Sequence, residues 1–184
     1  MAIKIEHRIG IATPVDNAYE IIADLENWPN WSPIHKKVSG RLSFGAPVEL
    51  IEHYEGLGTW EQTGSIADWT PLSHIHMTIP RSMFVGSLTR YFEFEILAET
   101  GCAFTVGALF KGFVSEREGK RYRPFLREGF KAMAEALKAK AEAEYDPSTP
   151  PPHLPPPNEY KSAPKPKSYK LKTPKFFGDF SKKK

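Results

Sequence analysis

The chain has 184 residues, with 25 Lys and Arg against 22 Asp and Glu, and one cysteine. Residues 1–145 hold 16 basic and 19 acidic side chains, whereas residues 146–184 hold 9 Lys, 3 acidic residues and 10 of the 17 prolines, so a slightly acidic body precedes a basic tail. A single Cys excludes a disulfide framework and a cysteine-based zinc site, and no apolar run reaches the roughly 20 residues of a membrane-spanning helix.

The body alone is long enough to bury about two-thirds of its surface. Its first residues, MAIKIEHRIG, lack the 7–15-residue apolar stretch of a secretory signal, so a cytoplasmic location is expected. Ile3, Ile5, Ile9 and Ile11 repeat with period 2, which predicts a half-buried strand over 3–11. Thr13-Pro14 then opens a helix, with Thr as N-cap and Pro at the first helical position. Within it Ala18, Ile22 and Leu25 share a face, and Trp28-Pro-Asn-Trp-Ser-Pro33 follows as a turn or short helix.

Six strand candidates come next: 35–40, 47–55, 59–68, 72–79, 85–97 and 102–113, broken by Gly56-Leu-Gly58, 68–71, 80–82 and 98–101. Connections this short imply antiparallel pairing. Residues 116–144 have helical periodicity, with Tyr122, Leu126, Phe130, Met133, Leu137 and Ala141 along one stripe. The expected class is α+β: a curved antiparallel sheet of about seven strands covered by a long C-terminal helix. Two regions are expected, a globular domain over 1–145 and a disordered tail over 146–184, whose PPPHLPPP and Lys-rich composition cannot offset the entropy of ordering.

The segment Ala12-Thr-Pro-Val-Asp-Asn-Ala-Tyr-Glu-Ile-Ile-Ala-Asp24 followed by Trp28-Pro-Asn-Trp-Ser-Pro33, together with the element order, resembles the START-like (SRPBCC) helix-grip superfamily, which includes polyketide cyclases and the major birch pollen allergen. The resemblance covers about residues 1–144. It implies a cavity between sheet and helix that holds an apolar or amphipathic molecule. The superfamily spans carriers and enzymes without a shared catalytic motif, and fold alone does not choose between them.

Polar residues that fall in an apolar phase carry the information about a site. Four do so: His7 in the first strand, Glu52 beside Val48 and Leu50, Gln62 beside Trp60 and Ile66, and Arg90 beside Leu88, Phe92, Phe94 and Ile96. A guanidinium in an apolar interior needs a partner. That partner is a ligand oxygen, held by the planar fork, or Glu52; alternatively Arg90 reaches water at the sheet rim. The ligand-binding candidates are Tyr54, Trp60, Gln62, Arg90, Phe92, Phe130 and Met133. For a cyclase or dehydratase the candidate actors are His7, Glu52 and Arg90. His74 and His76 point the same way, a spacing a metal can use, but their phase is the solvent face and the sequence offers no third ligand, so no metal and no cofactor are expected. Binding of a small lipid or polyketide-like ligand is the leading function. The alternatives are a cyclase/dehydratase enzyme and an interaction protein whose tail meets an anionic membrane surface or a protein partner. An acidic body argues against specific nucleic-acid binding.

Overall fold

The computed structural model describes residues 2–81 and 85–148. The expected tail, apart from its first three residues, lies outside the described residues, as does the end of the break expected at 80–82. In chain order the elements are β1 (Ala2–Ile11), α1 (Val15–Ala23), a 3-10 turn (Leu25–Asn27), α2 (Trp28–Trp31), β2 (His35–Gly40), β3 (Pro47–Tyr54), β4 (Gly58–Thr70), β5 (His74–Pro80), β6 (Ser87–Ala98), β7 (Gly101–Lys111) and α3 (Phe113–Glu144). The seven strands form one antiparallel sheet of order β1-β7-β6-β5-β4-β3-β2. This is the expected helix-grip α+β architecture.

The period-2 phases hold through the register except at irregularities in β2, β4 and β6. Ile5 faces Ala108, Phe92 faces Val106, and Leu50 faces Gln62. These positions make up the concave face, which is covered by the α3 stripe Leu126, Phe130, Met133, Leu137 and Ala141, all fully buried. α3 lies on β1 and β7 and touches α1. It approaches closely enough that a Cβ at Gly129 would sit 2.4 Å from the Tyr54 ring. Val15, Ala18, Tyr19 and Ile22 bury one face of α1, at the spacing an amphipathic helix requires.

Several boundaries differ from the sequence reading, each for a local reason. Thr13 does not cap α1. Pro14 occupies the N-cap position, and the Thr13 hydroxyl donates to the Pro14 carbonyl at 3.2 Å. The fifth strand begins at His74 rather than 72, because Leu72 adopts φ 62° in the preceding turn, a left-handed value no strand accommodates. The last strand ends at Lys111 rather than 113. Gly112 takes φ 98° there, and a Cβ on it would meet Gly86 at 2.7 Å. That bend lets α3 begin at Phe113, three residues earlier than the periodicity suggests. Among the described residues no helix is long and apolar enough to cross a membrane.

Candidate functional site

The concave face should be apolar, yet its centre holds a charged group network. Glu52 on β3 and Arg90 on β6 are both fully buried, and Arg90 Nη1 donates to Glu52 Oε2 at 2.6 Å. Three steps across a sheet span about 14 Å at the usual strand spacing. The two side chains meet only because the sheet curls around the grip, so the ion pair is a product of curvature.

Glu52 is the hub. Its Oε1 accepts from the Tyr54 hydroxyl at 3.0 Å and lies 3.2 Å from His35 Nε2. Its Oε2 also accepts from Gln62 Nε2 at 3.3 Å. A carboxylate has about four lone-pair directions; Tyr54, Gln62 and Arg90 each donate into one, and His35 Nε2 stands close to Oε1 without making a hydrogen bond. Ser32 Oγ stands 2.7 Å from His35 Nδ1. Nδ1 of His35 thus has a hydroxyl partner, whereas Nε2 is buried beside the carboxylate without a hydrogen bond. Trp28 packs edge-on against His35 and Phe92, with ring centroids 4.7 and 4.8 Å away. The Phe130 ring from α3 lies 4.9 Å from the Arg90 guanidinium carbon, a cation–π arrangement in a dry setting.

Charge and burial fix the protonation states. Burial by itself would raise Glu52, but the charge of Arg90 and the His35 contact outweigh it and bring the carboxyl down to about 2. Burial pushes Tyr54 up, and the neighbouring Glu52 charge adds to the rise. Burial lowers His35 more than Glu52 raises it. For Arg90 burial acts downward, and the Glu52 charge more than restores it, so the guanidinium stays charged. At neutral pH the cluster therefore holds one anion, one cation, a neutral imidazole and a neutral phenol, with no net charge.

The donors exceed the acceptors. Arg90 Nε and Nη2 and His35 Nε2 are buried without a hydrogen-bond partner among the described residues, and so is Gln62 Oε1. Buried polar groups are normally satisfied, so four unpartnered atoms within one cluster set it apart from the apolar core around it.

The sequence-derived candidates divide accordingly. Tyr54, Gln62 and Arg90 hydrogen-bond Glu52, and the Phe92 and Phe130 rings lie against the Arg90 guanidinium. Trp60 is half-buried at the margin, edge-on to Tyr54 at 6.3 Å and stacked with Phe110 at 6.5 Å. Met133 is buried about one turn further along α3. Of the three possibilities for Arg90, the ion pair with Glu52 is present and the exposed rim position is excluded by its complete burial. His7 does not join the cluster. It is half-buried on β1 opposite Val106, and no hydrogen bond or ion pair among the described residues links it to Glu52 or Arg90.

His35 is the cluster residue that sequence reasoning missed. It sits three positions before the buried Val38, out of phase with it, but β2 carries a register irregularity between His35 and Lys37. The extra residue returns His35 to the concave face opposite Glu52. A buried Ser-x-x-His pair next to Trp28 was the only available signal.

A curved antiparallel sheet closed by a long C-terminal helix over an inward-facing polar cluster defines a helix-grip protein. Residues 2–142 match the family described as polyketide cyclase / dehydrase and lipid transport, and the chain belongs to that family. The Zhui aromatase/cyclase of Streptomyces sp. R1128 superposes with TM-score 0.60 at 19% identity, over 82% of this chain and 100% of that one. A START superfamily protein from Mycobacterium smegmatis superposes with TM-score 0.61 at 14% identity, over 77% of this chain and 99% of that one. A curated relative, homoserine O-acetyltransferase from Rhizobium rhizogenes, is 31% identical over 72 residues; the match spans 39% of this chain and 22% of that protein.

Proposed function

We propose that this domain binds a small apolar or amphipathic molecule between the sheet and α3, oriented by an oxygen acceptor on the ligand. The observation that carries this reading is the surplus of donors on Arg90: a fully buried guanidinium with Nε and Nη2 unpartnered. Because Glu52 already neutralises Arg90, a ligand carboxylate would bring an uncompensated charge into the interior, at a cost of several kcal/mol. A ketone or phenol oxygen brings none. Gln62 Oε1 adds an acceptor for a ligand hydroxyl. The ligand class supported is therefore a neutral apolar scaffold with adjacent carbonyl and hydroxyl groups, lined by Phe92, Phe130, Tyr54, Trp60 and Met133.

Binding is favoured over acid–base turnover because of the same geometry. Glu52 already accepts from Tyr54, Gln62 and Arg90, and its carboxyl is down at about 2. An efficient general base needs a pKa near the working pH, and the Glu52 carboxylate lies far below it. With His7 outside the cluster, the trio of His7, Glu52 and Arg90 does not form an acid–base constellation.

The test is titration calorimetry of the full chain with 2-acetyl-1-naphthol, a bicyclic hydroxyketone, alongside native mass spectrometry for any co-purifying molecule. Saturable one-to-one binding is expected, and at least tenfold weaker binding in Gln62→Leu, which removes the unpaired acceptor together with the Nε2 donor to Glu52. Absence of both a co-purifying ligand and saturable binding would refute the reading. So would a folded Gln62→Leu chain that binds as tightly as the wild type.

A further inference from the structure

The opposite, solvent-facing side of the same sheet carries a second cluster. β4 has a register irregularity between Ile66 and Asp68. Ile66 faces the core, and period 2 would send Asp68 there too. The extra residue at Ala67 instead turns Asp68 to the outer face, where it pairs across the strands with His76. His74 lies on that face two residues away, and Glu93 of β6 stands directly opposite His74. The third ligand that the sequence did not offer is supplied by the bulge.

We propose that Asp68, His74 and His76, with Glu93 beside them, form a binding site for a divalent transition metal of the zinc class. One ligand atom from each of Asp68, His74 and His76 lies within 4.8 Å of the others. His74 Nε2 is 3.1 Å from Asp68 Oδ2, and His76 Nε2 is 3.0 Å from Glu93 Oε1. Two atoms bound to one ion at about 2.0–2.1 Å, at octahedral to tetrahedral angles, lie about 2.9–3.4 Å apart. Both pairs already have that separation. The remaining closure requires only rotation of side chains that are free to move, since Asp68 is 63% and Glu93 46% exposed. The two imidazole rings tilt toward each other, centroids 4.8 Å apart.

The surroundings fit the assignment. Ser73 Oγ lies 3.0 Å from His74 Nδ1, which leaves Nε2 as the ligand atom, in the manner of the supporting hydrogen bonds that orient metal-bound histidines. The ion pairs of Asp68 and Glu93 among the described residues are to His74 and His76. With neutral imidazoles the four groups carry two negative charges, matching a dication. The nearby Arg8 is engaged with Glu95 at 2.6 Å. The site opens into a surface cleft of about 280 Å³ lined by Arg8, Ser73, His74, His76 and Glu93, wide enough to admit a hydrated ion. Two nitrogens and two carboxylates suit zinc over the all-oxygen sites of magnesium and calcium. A bound ion would tie β4, β5 and β6 together at the bulge.

The experiment is titration of the full, EDTA-treated chain with Co2+, read by its tetrahedral d–d absorption, followed by competition with Zn2+. One Co2+ per chain, displaced by Zn2+, is expected. His74→Ala, His76→Ala and Asp68→Asn should each weaken binding at least tenfold, while His7→Ala, on β1, should leave it unchanged. Circular dichroism checks that each variant is folded, and His74→Gln or His76→Gln replaces an alanine variant at the same position that is not. Failure of the wild-type chain to take up Co2+ stoichiometrically would overturn the proposal. Wild-type affinity in a folded His74 or His76 variant, or loss of affinity in His7→Ala, would overturn it equally.

Discussion

Replacing Glu52 by Gln removes the charge that compensates Arg90 while keeping the size of the side chain. The folded state holds the Glu52 carboxyl at about 2 against an ordinary 4.5. At 1.36 kcal/mol per pH unit this difference corresponds to about 3 kcal/mol in favour of the ionised folded form. Breaking a buried ion pair by losing one partner costs about 3–5 kcal/mol, so two independent routes give the same size. Against a total stability of about 5–15 kcal/mol, Glu52→Gln should be severely destabilised at pH 7. The sign with pH follows from the depressed value. The contribution is complete above pH 4.5 and is lost as pH falls toward 2. The gap between wild type and Glu52→Gln should therefore be constant above about pH 5.5 and narrow by about 1 kcal/mol between pH 4.5 and 3.5. Urea unfolding at pH 7, 5.5, 4.5 and 3.5, followed by far-ultraviolet circular dichroism, measures it. A difference below about 1 kcal/mol at pH 7, or a gap independent of pH below 4.5, would refute the reasoning that Arg90 and Glu52 form a buried, mutually dependent pair.

Two further outcomes test the packing. Gly129→Ala should lower stability by about 1–3 kcal/mol, although alanine is intrinsically the better helix former by about 1 kcal/mol, because its Cβ would stand 2.4 Å from the Tyr54 ring; a rise in melting temperature would contradict the close approach of α3 to β3. Cys102 is fully buried, and burial pushes its thiol up to about 11, so its reaction with a disulfide reagent at pH 8 should be at least a hundredfold slower in the folded chain than in urea; comparable rates would place it at the surface.

The protonation pattern of the inner cluster has a consequence for chemistry. Glu52 stays ionised, while burial holds His35 neutral and Tyr54 protonated. A cluster so locked holds and orients a guest well but exchanges protons poorly. On the proposed reading, the donors left over on Arg90 meet an oxygen atom of the ligand. The paired charges keep the interior electrically neutral, which fits an uncharged guest.

Much of this was legible in the sequence. Period-2 alternation placed Ile5, Leu50, Gln62, Phe92 and Val106 on one face of a sheet, and the spacing of Leu126, Phe130, Met133 and Leu137 supplied the helix that covers it. Polar residues in those apolar phases flagged Glu52, Gln62 and Arg90, because a charge in an apolar row must be met by something. Whether Arg90 met Glu52, a ligand or water was not in the alternation; it depended on how far the sheet curls to bring β6 against β3, a property of the assembled sheet. The other gaps share one cause. His35 and Asp68 each lie beside a single inserted residue that shifts the register of its strand. An insertion of that kind reverses which side a residue faces without leaving a periodic trace, so the sequence gives the strands and their apolar phases, and only the paired register decides which side of the sheet His35 and Asp68 serve.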